Sequence, residues 1–288
     1  MKRSGLGLWL LCAMTMAAQG CPCGGSKIER PYPQPTVDAL LQQVRSNGQV
    51  VSSYVAESTM DYWVGDERIK MTVYVMGKRG ARIRFNAINP ATETTASDLG
   101  CDGNGFAFLD YEKECQLSGV CDQYSIAQLL RVRLDPDDFL LLAVGSTPIV
   151  NQPEGVLRWD HKRGAEVLDL VERGGARRQT LVLSGKQGQW DVLESAVYDA
   201  SGKLEWKLEN KGFSPMTTED GKSLRVPRSS HFEQPAEKAD LVARWDNRTL
   251  NLELDEDKFV VPVPAELKLC PTGKAAPPAP APDPDPTP

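Results

Sequence analysis

The stretch RIKMTVYVMGKRGARIRFNA, residues 68–87, decides the fold because apolar and polar side chains alternate along it. The apolar side chains occupy every second position: Ile69, Met71, Val73 and Val75, then Ala81, Ile83, Phe85 and Ala87. Alternation of this kind is typical of strands with one buried and one solvated face. The turn at residues 77–80 is short enough to join the two strands as a hairpin. The stretch therefore predicts antiparallel β-sheet.

The same period of two recurs along the rest of the chain, most clearly in KLEWKLE, residues 203–209. In all, the pattern predicts about 10–11 strands, mostly joined by short turns. Consecutive strands of this kind favour a meander, and one long twisted sheet tends to curl towards a barrel. The predicted fold class is mainly β, with an antiparallel sheet curled into an incomplete (half) barrel.

Three segments have a helical period instead. Thr36 can cap the first, whose apolar residues follow at i, i+3, i+4 and i+7: Val37, Leu40, Leu41 and Val44. A pair of short helices is predicted mid-chain, over residues 125–132 and 135–144. Because the sheet offers the only large apolar surface, we expect the N-terminal helix and the mid-chain pair to cover its concave face.

The beginning of the chain predicts export. Lys2 and Arg3 precede an uncharged run at residues 6–18, which is shorter than the about 20 apolar residues of a membrane-spanning helix. The ending AQGC resembles the lipobox of bacterial lipoproteins, which implies a signal peptide at residues 1–20 and acylation of Cys21 by a chain such as palmitate. The alternative is an ordinary signal peptide cut near Ala18.

Composition then divides the mature chain into three parts. Residues 21–35 are rich in proline and glycine and predict a flexible tether. Residues 36–270 are long enough for one large all-β domain. Residues 271–288 contain eight prolines and few large apolar groups, which predicts a disordered tail.

Export places the remaining cysteines in an oxidising compartment, where pairing is expected. Two bridges can join four of them in three ways, and the sequence does not choose: Cys101, Cys115, Cys121 and Cys270. The role of Cys23 stays open. A zinc site is the less favoured alternative, because the spacing contains no C-x-x-C pair and no histidine lies nearby.

Several classes of function are disfavoured. The formal net charge of −6 argues against nucleic-acid binding, which needs a basic surface. Only two histidines occur, His161 and His231, and no catalytic or phosphate-binding motif is present. We therefore expect a protein that is not an enzyme and uses no cofactor or metal ion.

Two stretches carry a resemblance to a known family. ADLVARWDNRTLNLELDEDKFVVPVP, residues 239–264, is similar to the end of the LolA/LolB lipoprotein carriers and receptors, with matching residues Asn251, Leu254, Asp255, Phe259 and Pro262. IAQLLRVRLDPDDFLLLAVGSTPI, residues 126–149, is similar to the mid-chain helices of lipid-anchored relatives of unassigned function. Residues 36–270 thus resemble a LolA/LolB-like domain.

The resemblance implies that acyl chains or lipoproteins bind in an apolar cavity under the helices. The candidate cavity residues are Leu40, Val44, Ile83, Phe85, Ile126, Leu129, Leu130, Phe139, Leu142 and Trp206. The same residues could instead fill the barrel as core. Trp63 is a candidate for contact with the membrane or the passenger, with a half-buried strand-end position as the alternative.

The expected function is that of a lipid-anchored protein of the cell envelope that helps to localise or insert lipoproteins. In the family that the chain resembles, an aspartate directly after the acylated cysteine retains a lipoprotein at the inner membrane. This chain has Pro22 at that position. This favours the outer membrane, facing the periplasm. A periplasmic carrier protein is a candidate partner. The alternative function is an envelope scaffold or assembly lipoprotein with a filled barrel and a protein partner.

Overall fold

The computed structural model describes residues 27–64, 67–123, 133–186 and 188–271. The first half of the described chain contains β1 Ser53–Val64, β2 Glu67–Lys78, β3 Arg82–Ile88, β4 Thr95–Asp102, β5 Gly105–Asp110, β6 Cys115–Val120, β7 Glu154–Asp160 and β8 Ala165–Val171. The second half contains β9 Arg177–Lys186, β10 Gln189–Asp199, β11 Leu204–Lys211, β12 Ser214–Thr217, β13 Ser223–Val226, β14 Ser229–Gln234, β15 Ala239–Leu250 and β16 Lys268–Leu269. The α-helices of these residues are α1 Val37–Val50 and α2 Pro136–Ala143.

Fourteen of these strands form one sheet, in the order β16-β6-β5-β4-β3-β2-β1-β15-β14-β11-β10-β9-β8-β7. Neighbours pair antiparallel, except that β16 pairs parallel with β6. The two end strands do not pair with each other, so the sheet is open rather than closed into a barrel. This confirms the predicted mainly-β, antiparallel, incomplete-barrel fold. The described residues contain more strands than the predicted 10–11, because β4–β6, β12 and β16 lacked a clear alternation.

Helix α1 covers one half of the sheet, on the face that we call the inner face. The Thr36 Oγ1 accepts a hydrogen bond from the Ala39 N–H at 3.2 Å and caps the first turn. Its apolar side then packs on leucines from β8 and β9 in a continuous core. We call this set the α1 cluster: Leu40, Leu41, Val44, Leu168, Leu170, Leu181, Leu183 and Leu208.

The chain before α1 also lies against the inner face. Arg30 donates two hydrogen bonds to the buried carboxylate of Glu166, at 2.7 and 3.1 Å, and its guanidinium lies 5.4 Å from the ring centroid of Trp159. The Tyr32 ring meets Trp159 and Trp190 edge-on. Residues 27–35 of the predicted tether are therefore in contact with the domain. Any flexible tether would have to precede residue 27, in a part of the chain outside the described residues.

Helix α2 covers the other half of the inner face. Pro136 occupies its first turn, and the Asp137 carboxylate accepts the N–H groups of Gly80 and Ala81 in the β2–β3 turn, at 3.1 and 2.8 Å. At its C-terminal end the Ala143 carbonyl accepts a hydrogen bond from Arg248 at 3.3 Å. Burial lowers the pKa of Arg248 to about 10. Of the predicted mid-chain pair, α2 is the second helix, and residues 125–132 lie outside the described residues.

Two disulfides tie the first half of the sheet. Cys101 in β4 pairs with Cys121, and Cys115 in β6 pairs with Cys270. The second bridge holds β16 beside β6, at one end of the sheet. Cys21 and Cys23 lie outside the described residues.

Candidate functional site

A cavity of about 320 Å³ lies between α2 and the inner face of the sheet. Its volume is at the lower end of the range for small-ligand sites. The strands that enclose it are β1–β5, β11, β14 and β15, and Leu208 of β11 belongs both to the α1 cluster and to the pocket lining. Its apolar lining includes Tyr54, Met60, Ile69, Met71, Val73, Phe85, Ala87, Ala96, Leu99, Phe108, Phe139, Leu142, Phe232, Leu241, Ala243 and Trp245.

The period of two in the strands aims these side chains inward. In β15, Leu241, Ala243 and Trp245 take alternate positions and all line the pocket. Space remains because small side chains such as Ala87 and Ala243 contribute to this lining, whereas the α1 cluster consists of leucines and one valine. Two methionines add flexible, polarisable walls that adapt to irregular apolar ligands.

The closed end of the pocket lies under α2. Tyr54 is 1% exposed there, and its ring packs against Gly77, where a Cβ would clash with it. Burial raises the pKa of Tyr54. The Phe139 ring of α2 meets Phe85 edge-on, with centroids 5.7 Å apart. These contacts close the pocket at the end of the sheet where Asp137 binds the β2–β3 turn.

Ser230 in the pocket wall and Asn210 behind it form a hydrogen-bonded network. Ser230 Oγ donates to Asn210 Oδ1 at 2.7 Å and accepts a hydrogen bond from Trp245 Nε1 at 3.0 Å. Asn210 Nδ2 donates to the Val192 carbonyl at 3.0 Å. Because this buried network is satisfied, the wall beside it behaves as an apolar surface.

Charged residues line the pocket only towards solvent, at the opposite end from α2. Asp110 closes β5 there, and its Oδ2 accepts a hydrogen bond from Lys113 Nζ at 2.9 Å. Glu112 Oε1 accepts one from the Asn89 amide at 2.9 Å. Asp110, Glu112 and Lys113 thus line the open end, and the Asn89–Glu112 hydrogen bond joins the β3–β4 turn to it.

The predicted cavity residues divide between pocket and core. Phe85, Phe139 and Leu142 line the pocket. Ile126, Leu129 and Leu130 lie outside the described residues. The remaining four do not line it: Leu40, Val44 and Trp206 pack with the α1 cluster, and Ile83 is core beside the pocket. The cause is that leucines of β8 and β9 fill the space under α1.

Trp63 lies outside the pocket. Its side chain is 44% exposed on the outer face of β1, three positions after the inward-facing Met60, and the Arg68 guanidinium lies 5.8 Å from its ring centroid. Its predicted contact with a membrane or passenger stays a prediction. Residues that the sequence reasoning missed include Met60, Phe108 and Trp245, although the alternation in β15 was a usable signal.

Neither histidine lines the pocket. His231 Nε2 lies 2.7 Å from Oδ1 of Asp240, a residue at the rim of the pocket, and His161 is exposed in the β7–β8 turn. Within the described residues, no group of three or more His, Cys, Asp or Glu side chains is arranged to hold a metal ion. No helix in that part of the chain is long and apolar enough to cross a membrane.

Comparisons with known proteins support the fold. No protein-family model matches the sequence, and no curated protein matches it. The chain is similar to a DUF1329 family protein from Desulfovibrio piger, with a TM-score of 0.53 and 14% identity over 79% of this chain and 98% of that one. It is also similar to a LolA superfamily protein from Nitrosomonas europaea, with a TM-score of 0.50 and 14% identity over 79% and 99%. The resemblance predicted from residues 239–264 is confirmed at the level of the fold.

Proposed function

We propose that this protein binds the acyl chain of a lipid or lipoprotein in the pocket under α2. The observation that carries the proposal is the contrast between the two halves of one sheet. Leucines fill the half under α1, whereas small and flexible side chains leave an apolar cavity under α2. The shared fold with a LolA superfamily protein supports the same assignment.

The energetics suit a carrier or receptor. Burial of an acyl chain is worth about 0.8 kcal/mol per CH₂, so roughly 14 such groups contribute about 11 kcal/mol. A passenger that moves between bilayer and pocket exchanges one apolar environment for another, and the net change is small. Transfer of this kind needs no nucleophile and no metal ion, because small differences in affinity set its direction.

We further propose that the domain works close to a membrane in the bacterial cell envelope. Residues 27–35 are held on the sheet, so only the six residues from 21 to 26 would separate an acylated Cys21 from the domain. A chain of that length spans at most about 20 Å. Two disulfides fit an oxidising compartment such as the periplasm. Mass spectrometry of the mature N-terminus tests the anchor, and an unmodified Cys21 would remove it.

The test of ligand binding uses a pyrene-labelled acyl methyl ester, which we call the pyrene ester, and two matched variants of β3. Ala87→Phe places a ring inside the pocket, whereas Asn86→Phe places the same ring on the outer face. We expect saturable binding of one pyrene ester per molecule. We expect Ala87→Phe to weaken it at least about tenfold, because the ring occupies the cavity, and Asn86→Phe to leave it unchanged. Failure of the wild-type protein to bind saturably would contradict the proposal.

A second candidate function is that of an envelope scaffold with a protein partner. It is favoured by β7, whose outer edge pairs with no other strand of the described residues and whose Val156 is 70% exposed. An unpaired strand edge can accept an extended peptide. Val156→Lys should weaken the binding of such a partner without changing the affinity for the pyrene ester.

A further inference from the structure

The open end of the pocket places a carboxylate where the head group of a bound amphiphile would lie. Asp110 follows Phe108 by two residues in β5, so both side chains face inward. The Asp110 side chain is only 14% exposed. Its carboxylate therefore lies between the apolar wall and solvent.

The charge around this carboxylate is mainly negative. The Lys113 ammonium is engaged with Asp110 at 2.9 Å, and the Lys113 backbone N–H donates to the other oxygen of the same carboxylate. Glu112 adds a second carboxylate to the lining. Together, residues 89–94 and 110–114 carry four carboxylates and one ammonium: Glu93, Asp110, Glu112, Glu114 and Lys113. Across the pocket the lining combines the apolar Met60, Ile69 and Leu241 with a third carboxylate, Asp240, which pairs with His231.

We infer that the pocket accepts amphiphiles with a neutral or cationic head group and discriminates against a carboxylate head group. The inference rests on the proposed binding of acyl chains in this pocket. A carboxylate head would stand beside Asp110 and Glu112 in partly desolvated surroundings, where like charges repel more strongly than in water. An ester avoids that repulsion, and an ammonium gains attraction.

The experiment compares three ligands that share one chain: decanoate, methyl decanoate and decylamine, which is protonated at neutral pH. Each competes with the pyrene ester for the full-length protein. We expect decanoate to bind at least about tenfold more weakly than decylammonium. The difference in affinity between decanoate and decylammonium should decrease at high salt, because dissolved ions screen the charges of the partly exposed rim.

Two double variants with the same change in net charge distinguish the effect of the rim carboxylates on affinity from the effect of the overall charge. Asp110→Asn with Glu112→Gln should raise the affinity for decanoate relative to decylammonium about tenfold. The asparagine keeps an oxygen that can accept the Lys113 N–H. Glu253→Gln with Asp257→Asn removes two exposed carboxylates that flank Leu254 and Glu256, the residues that Lys78 contacts at the other end of the sheet, and should leave the ratio unchanged.

The possible outcomes distinguish this inference from the proposed function. Equal affinities for decanoate and decylammonium would overturn the head-group preference and leave the pocket as a binding site. Equal effects of the two double variants would also overturn the assignment to the rim. If neither the three ligands nor the pyrene ester binds, the proposed function itself fails.

Discussion

Glu166 shows how one residue ties the start of the domain to the sheet. Its side chain has no exposed surface, and Arg30 supplies both of its charged hydrogen bonds. Two ions in this setting stabilise the fold only as a pair, because an unpaired buried carboxylate loses its hydration without compensation. Residues 27–35 should therefore behave as part of the domain rather than as a spacer.

Arg30→Met should lower the free energy of unfolding by about 3 kcal/mol, since it leaves Glu166 buried and unpaired. Urea unfolding followed by tryptophan fluorescence measures the change. Arg163→Met is the matched control, because Arg163 is 45% exposed and pairs with Glu194, so its loss should cost less than about 1 kcal/mol. The double variant Arg30→Met, Glu166→Leu should recover most of the stability. A cost for Arg30→Met no larger than the control's would contradict the role of the pair.

Asp138 in the first turn of α2 makes a pH-dependent contribution to stability. Burial, with the charges of Asp135 and Asp137, raises the pKa of Asp138 from 3.8 to about 6. Between these values the folded state holds a proton that the unfolded state releases, so the contribution favours folding at about pH 4 and is lost as the pH rises to about 6. Asp138→Asn removes this dependence.

The variant should match the wild type near pH 4 and exceed its unfolding free energy by about 1–2 kcal/mol at pH 7, since Asp138 is partly exposed. Urea unfolding of both proteins across this range isolates the effect, because the other titrating groups are common to both. A difference that does not change with pH would show that Asp138 titrates normally.

At the scale of elements, the two disulfides close loops of very different length. Cys115–Cys270 spans 155 residues and Cys101–Cys121 spans 20. In the chain-entropy description, a bridge restricts the unfolded state more when its loop is longer. The long bridge also holds the two-residue strand β16 on β6, which has no other strand on that side among the described residues.

Replacement of each cysteine pair by serine should show that the longer bridge stabilises the protein more than the shorter one. We expect the free energy of unfolding to fall by about 5 kcal/mol for Cys115→Ser with Cys270→Ser, and by about 3 kcal/mol for Cys101→Ser with Cys121→Ser. Urea unfolding of the oxidised variants measures both values, and the reduced wild-type protein provides the common reference. A larger cost for the short bridge would contradict the loop-length argument.

The sequence predicted those elements that bury one face and expose the other. Helix α1 and strands β2, β3, β7 and β11 follow their apolar period. Strands β4 and β5 do not, because both of their faces are covered. Phe108 faces the pocket while Leu109, the next residue, is 1% exposed on the other side, and Gly100 lies against the backbone of Phe259. A strand covered on both sides loses the alternation that identifies it.

The candidate site was predictable only in part for a related reason. Periodicity tells which face of an element is buried, but not how completely its partner fills the space beneath it. Leu40 of α1 and Leu142 of α2 belong to the same buried cluster, yet only Leu142 also lines the cavity. The difference arises from small residues such as Ala87 and Ala243, which are brought together only by the pairing of distant strands. The disulfide pairing likewise depends on where β16 joins the sheet.

At the scale of the whole molecule, one open sheet carries two differently packed halves. The α1 half is continuous leucine core, and the α2 half combines core with the pocket. A ligand that occupies the pocket adds apolar contacts to the second half alone. Local opening of a protein is sensitive to such contacts where they are made, so the two halves should respond differently.

Hydrogen exchange with and without the pyrene ester tests this division. At a ligand concentration about 100 times Kd, binding to the folded form can contribute up to about 2.7 kcal/mol, which slows exchange through local opening up to about a hundredfold. We expect this protection in α2, β1–β5, β11, β14 and β15, and none through local opening in α1, β8 and β9. Ala87→Phe should abolish the protection because its ring fills the cavity, whereas Asn86→Phe should preserve it. The leucines of the α1 half leave no room for an acyl chain. Protection that appears first in that half would therefore contradict the assignment of the ligand to the pocket under α2.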